Sequence, residues 1–303
     1  MHSTTTPFDL AVNPGVWMTG WDLTRMPAVL APLAPLGYRR VVVVLRDPWT
    51  FDTTGIADTV GGAGLEPLTN TNQTPTEDVS SDDPAVRDAG IARLRRAIEL
   101  SVELGSDALT GVNFGVLGKA SAPVSAQAFD RTAKVMGQLA DEAAAVGVRL
   151  VVEVVNRYET NLFNTARRAM EFADASGSQA LGIHLDVFHM NIEEDDMVAA
   201  VELALPRLAY LEIEQNHRGE LTRGHVDLDA FLDGVLAAGY RGRFGLEAFS
   251  ANAIADFHAA GLAVWRDQFG PDTRIAAEAT ELLTAAYARA GIDAQDTEQK
   301  DTP

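Results

Sequence analysis

Four carboxylates stand near the ends of apolar runs in the second half of the chain: Glu153 in LVVEVV, Asp186 in GIHLDVF, Glu212 in AYLEIE and Glu247 in FGLEAF. Any one of them could pair with a base, cap a helix or face solvent. Four brought together behave differently, because clustered carboxylates repel and hold their protons more tightly unless a cation neutralises them. A divalent metal is the economical solution. The donor set is all hard oxygen, which favours Mn²⁺, Mg²⁺ or Co²⁺ over ions that seek thiolates and does not choose among the three. Glu214 lies two residues beyond Glu212 and so on the same face of a strand, and alternation alone does not choose between them. Polar residues follow each run: Asn156, Arg157 and Glu159; His189 and Asn191; His217 and Arg218. Such loop positions suit substrate-positioning groups. His184 shares the face of Asp186 one layer deeper and reads as a satisfied interior histidine, while His217 and His225 read as rim residues.

These side chains need strands to aim them. Short apolar runs alternate with longer amphipathic stretches from end to end, the mark of successive βα units and a parallel sheet. Strands are expected over residues 15–19, 40–45, 65–70, 108–114, 149–155, 181–187, 208–214 and 244–249. Helices are expected over 84–104, 126–146, 161–176, 227–238 and 254–269, with an acidic cap at Asp227. Eight strands make a (β/α)8 TIM barrel, in which active sites lie at the carboxyl ends of the strands. A doubly wound open sheet commonly carries a glycine-rich turn after its first strand, and the stretch from Gly15 to Gly20 is not GxGxxG. The expected organisation is one barrel domain over residues 1–292 and a disordered acidic tail over 293–303. Trp17 and Phe114 could line the pocket or pack its mouth; Trp265 is expected to pack within a late helix.

Composition removes several functions. The 303 residues carry a net charge of -19, a field that repels polyanions, so nucleic acid is not an expected partner. The absence of cysteine rules out disulfides, thiolate zinc sites and thiol nucleophiles, and fits a reducing cytosol. The first ten residues lack a basic and apolar leader, and no later stretch approaches the roughly 18 apolar residues of a membrane span. A cytoplasmic protein with no membrane partner is expected.

The segments EVVNRYETNLFNTA, LDVFHMNIEE, NHRGELTRGHVDLDAF and FGLEAFS resemble the D-tagatose/D-psicose 3-epimerase family of xylose-isomerase-like barrels. TPTEDVSSDDPAVRDAGI, GVNFGVLGK and AVWRD extend the likeness, more loosely, over nearly the whole chain. The resemblance implies a metal-dependent sugar isomerase or epimerase. Glu153 and Glu247 would be metal ligands and the acid/base pair, Asp186 a third ligand, and Glu159, His189 and Arg218 substrate contacts around the carbonyl end of a ketose. It also implies a homo-oligomer. Epimerising a carbon beside a carbonyl means removing a proton from one face and returning one to the other through an enediolate, and two carboxylates with one cation meet that need.

Two departures stand out. Glu212 occupies the position of the family's fourth ligand, normally histidine; four carboxylates around a divalent ion leave two net negative charges and weaken its pull on an enediolate. The run RRVVVVLRDP lacks the glutamate that the family often places at the end of the second strand. The change at Glu212 motivates a second reading, a lyase of the same superfamily acting on 3-oxo-glycosides or keto-inositols. A third is a sugar-binding barrel without catalysis. A DNA-repair endonuclease would need a histidine-rich zinc cluster and a positive face, which six histidines and this charge do not suggest. The loop after the last strand, EAFSANAI, has no glycine nest for phosphate, so a free sugar is favoured.

Overall fold

Eight parallel strands follow one another in chain order and close on themselves, β1 beside β8, into the (β/α)8 barrel expected from the alternating pattern. The computed structural model describes residues 6–293. All but the first residue of the acidic tail expected over 293–303 lies outside that range.

The strands are β1 (Asp9–Val12), β2 (Arg40–Val44), β3 (Glu66–Asn70), β4 (Ala108–Thr110), β5 (Arg149–Glu153), β6 (Gly182–Asp186), β7 (Leu208–Ile213) and β8 (Arg243–Leu246). The helices are α1 (Met26–Leu30), α2 (Ile56–Gly62), α3 (Pro84–Leu104), α4 (Ala126–Ala145), α5 (Ala166–Ser176), α6 (Val187–Glu193), α7 (Met197–Ala204), α8 (Leu228–Ala237), α9 (Asp256–Leu262) and α10 (Arg274–Ala290). Runs such as RVVVV and RLVVE become strands because β-branched side chains pack well on a pleated surface. Helix starts follow local chemistry. Asp83, Ser125, Thr165 and Asp227 each accept a backbone N–H of the first turn of α3, α4, α5 and α8, satisfying donors that the helix leaves open.

Two compact units carry these elements. Residues 43–57 and 67–209 form one, with Phe114, Phe163 and Phe172 packed ring to ring and wholly buried. Residues 6–42, 58–66 and 210–293 form the other. There β1 runs along β8 with Val12 opposite Leu246, and Asp9 lies between Arg40 at 2.8 Å and Arg243 at 3.3 Å at the strand starts.

The first strand departs from expectation. It is Asp9–Val12, not 15–19, because Pro14 has no N–H to give a ladder and instead opens a single 3-10 turn, Pro14–Val16. The helix expected over 254–269 is only Asp256–Leu262, stopped by Ala263 in the left-handed region at φ 54°. Trp265 is consequently in a loop and 73% exposed, not packed. The helix expected from residue 161 begins at Ala166, since the Asn164 side chain binds the Val155 and Thr160 carbonyls and holds 161–164 as a loop. α10 had no counterpart among the expected elements. No described helix is long and apolar enough to cross a membrane.

Candidate active site at the strand ends

Glu153 and Asp186 are the last residues of β5 and β6, and the register sets Glu153 opposite His184. Asp186 is wholly buried and also starts α6, its Oδ1 accepting the Phe188 N–H at 2.6 Å. Its other oxygen is not needed for that cap. Glu153, Asp186 and His189 each offer an atom that could hold a metal ion, all within 4.8 Å of one another.

Hydrogen bonding decides what His189 can do. The backbone N–H of Asn156 donates to His189 Nδ1 at 3.2 Å, so that nitrogen carries no proton and the neutral ring bears its hydrogen on Nε2. Nε2 lies 3.8 Å from Glu153 Oε1. With one nitrogen occupied as an acceptor and the other protonated, His189 is a donor rather than a ligand. The Asn156 amide also binds Glu159 Oε1 at 3.0 Å, and its own oxygen accepts the Tyr158 N–H at 2.9 Å, so one asparagine orients both Glu159 and His189. His184 is buried, its Nδ1 3.0 Å from Thr110 Oγ1 and 3.7 Å from Glu153 Oε2.

Glu212 is the fifth residue of β7, opposite Gly245 of β8. The Tyr210 hydroxyl, on the same face, donates to Glu212 Oε1 at 3.0 Å. Burial, then the neighbouring carboxylates of Glu212 and Glu247, push the Tyr210 phenol well above its ordinary range, so it stays a donor. Gly245 is there for space: a Cβ on it would lie 2.8 Å from Glu212 Cγ and closer still to the Tyr210 hydroxyl.

Glu247 lies one residue beyond β8 and is gripped at both oxygens. Asn13 Nδ2 donates to Oε1 at 2.6 Å, and the Arg218 guanidinium pairs with Oε2. Arg218 is itself anchored by wholly buried Glu214, at 3.3 Å, and lies over the Phe249 ring at 4.8 Å. Its backbone φ of 59° is left-handed, a conformation costly to a long side chain and concentrated at functional sites. Of Glu212 and Glu214, it is Glu214 that pairs with arginine.

Of the candidate residues, Glu153, Asp186 and His189 come together in one unit, joined to Glu159 through Asn156; in the other unit, Arg218 meets Glu247, and Tyr210 holds Glu212. Neither Asn13 nor Tyr210 was a candidate in the sequence. Asn13 carried no signal once the first strand was placed after it, whereas Tyr210, two residues before Glu212, could have been found by alternation.

Residues 59–284 match the family described as xylose isomerase-like TIM barrel. A ketose 3-epimerase of Arthrobacter globiformis is 33% identical over 268 residues, 88% of this chain and 93% of that protein. An L-ribulose 3-epimerase of Methylomonas sp. (strain DH-1) is 34% identical over 272 residues, 90% of this chain and 95% of the relative. The crystal structure of a D-allulose 3-epimerase from Methylomonas sp. in complex with D-allulose superposes with a TM-score of 0.87 at 33% identity, over 94% of this chain and 100% of the other. The strand-end carboxylates thus stand in a barrel shared with sugar epimerases over almost its full length, and the chain belongs to the ketose 3-epimerase family of xylose isomerase-like TIM barrels.

Proposed function

We propose that the protein is a divalent-metal-dependent ketose 3-epimerase acting on a free sugar, with Glu153, Asp186, Glu212 and Glu247 holding one ion. The observation that carries this reading is the pair of carboxylates Glu153 and Asp186, with oxygens within 4.8 Å of each other at the ends of β5 and β6 and Asp186 wholly buried. The ligands come from β5 to β8, which are consecutive in the barrel. The oxygen-only donor set fits a hard cation, Mn²⁺ foremost, with Mg²⁺ or Co²⁺ as substitutes.

Glu153 and Glu247 act as the acid/base pair. One carboxylate takes the proton from the carbon beside the ketose carbonyl, and the other returns a proton to the opposite face. His189, fixed as an Nε2–H donor by Asn156, gives that hydrogen to a substrate oxygen. Glu159 and Arg218 bind the neighbouring hydroxyl and carbonyl groups, Arg218 supplying positive charge where the enediolate oxygen becomes negative. When bound, the divalent ion adds several kcal/mol of Lewis-acid stabilisation to that enediolate.

The proposal extends to one catalytic domain over residues 1–292, a homo-oligomeric assembly and a cytoplasmic setting, consistent with a cysteine-free acidic chain. The decisive experiment is elemental analysis of the purified protein, followed by incubation of D-fructose, D-tagatose, D-allulose and L-ribulose with Mn²⁺ or Co²⁺ and chromatography of the products. Epimer formed with about one ion per chain is expected. Bound metal with aglycone release or water loss from a 3-oxo-glycoside, and no epimer, would replace this reading with the lyase; no metal and no product would leave a binding barrel.

A further inference from the structure

Glu247 is the one proposed acid/base residue that lies outside its strand, so something other than the β8 ladder must hold it. The β1 end does this. Val12 stands opposite Leu246, and the Asn13 N–H donates to the Leu246 carbonyl at 3.0 Å, so Asn13 and Glu247 leave the paired strands side by side. Asn13 Oδ1 accepts the Gly15 N–H at 2.9 Å. That bond fixes which way the amide faces: its oxygen is committed to the turn, and its NH2 points to Glu247 Oε1, 2.6 Å away. The turn needs glycine at 15, where a Cβ would meet Phe249 at 2.9 Å and Asn13 Oδ1 at 3.0 Å.

We infer that Asn13 is a positioning residue for Glu247, clamping the carboxylate's rotation so that its remaining lone pairs face the divalent ion and the substrate. This rests on the function proposed above. Arg218 grips the other oxygen, but a cation there offsets the negative charge that attracts metal, and Arg218 also has substrate to bind. The neutral amide holds the carboxylate without cancelling its charge. Groups that orient metal ligands in this way typically change affinity or activity by roughly 10- to 100-fold when removed.

The test compares Asn13→Ala with Asn13→Ser in the full chain. Serine can still accept the Gly15 N–H and keep the turn, but it is too short to reach Glu247. Mn²⁺ affinity is read from the electron paramagnetic resonance of free Mn²⁺, and kcat and KM from epimer formation. The expected result is a fall of roughly 10- to 100-fold in Mn²⁺ affinity and a lower kcat in both variants, with the serine variant melting close to the parent. Parent-like Mn²⁺ affinity and kcat in Asn13→Ser would make Asn13 a turn cap only and overturn the inference while the proposed function stands. A parent protein that binds no Mn²⁺ would overturn both.

Discussion

The two compact units hold their strand-end carboxylates by different means. At the ends of β5 and β6, Asp186 and His189 are fixed by backbone N–H groups, and Glu159 by the neutral side chain of Asn156. At the ends of β7 and β8, Glu214 and Glu247 share an arginine, and Glu212 takes a phenol hydrogen. The second group carries its own counter-cation in Arg218. Placement by backbone is cheap and local; placement by a buried arginine costs desolvation and leaves charges stranded if it is lost.

The largest effect should come from removing the acids themselves. Glu153→Gln and Glu247→Gln are each expected to lower epimerisation on the order of 100- to 10,000-fold, measured as product formed and as solvent deuterium incorporated. If the two sides form one acid/base pair, the double variant is little slower than either single one, because residues acting as a unit are not additive.

Stability sharpens the contrast. Arg218→Ala removes the guanidinium that Glu214 and Glu247 share and should cost roughly 3–5 kcal/mol in urea unfolding of metal-free protein. Asn156→Ala, on the neutral side, should cost about 1–3 kcal/mol. Equal losses would dissolve the distinction. Gly245→Ala forces Tyr210 and Glu212 apart and should cost about 1–3 kcal/mol as an overpacked site, with weakened Mn²⁺ binding as the companion readout.

A smaller effect is visible in alkali. The Tyr210 phenol titrates well above 10 in the fold, so its stabilising contribution is complete below the unfolded value near 10 and declines as pH rises towards the folded one. Tyr210→Phe should be about 1 kcal/mol less stable at pH 8, and this gap should narrow above pH 10. The smallest effect belongs to an exposed pair far from the chemistry: Arg95→Ala, which breaks the 2.8 Å contact with Glu142, should change stability by under about 1 kcal/mol.

The sequence disclosed the β5–β8 side well, because each acid follows directly on an apolar run and strand position converts into place in a barrel. It disclosed β1 poorly. DLAV is only four residues long and the apolar stretch from Val16 to Met18 is more conspicuous, so the pattern points to a strand past Pro14 and leaves Asn13 ahead of it. Arg218 was visible as a loop residue, but its pairing was not. An ion pair with Glu247 across 29 positions, made by a residue with left-handed backbone, has no periodic signature. α10, RIAAEATELLTAAYARA, is alanine-rich with a weak apolar stripe, and its burial comes from packing on α8 that no local pattern encodes.

The bond between Asn13 and Glu247 joins residues 234 positions apart. Contacts of such separation form late, since the entropy of closing the intervening chain must be met first. Glu153 and Asp186 can be in place as soon as β5 and β6 have paired, but Glu247 takes its final orientation only after the last strand has found the first. If these carboxylates hold a divalent ion as proposed, its capture reports ring closure: in stopped-flow refolding, uptake of the ion should trail the gain of helix and coincide with the final compaction of the chain. On the ribosome, the same separation keeps a growing chain from completing the proposed acid/base pair until nearly all of it has emerged.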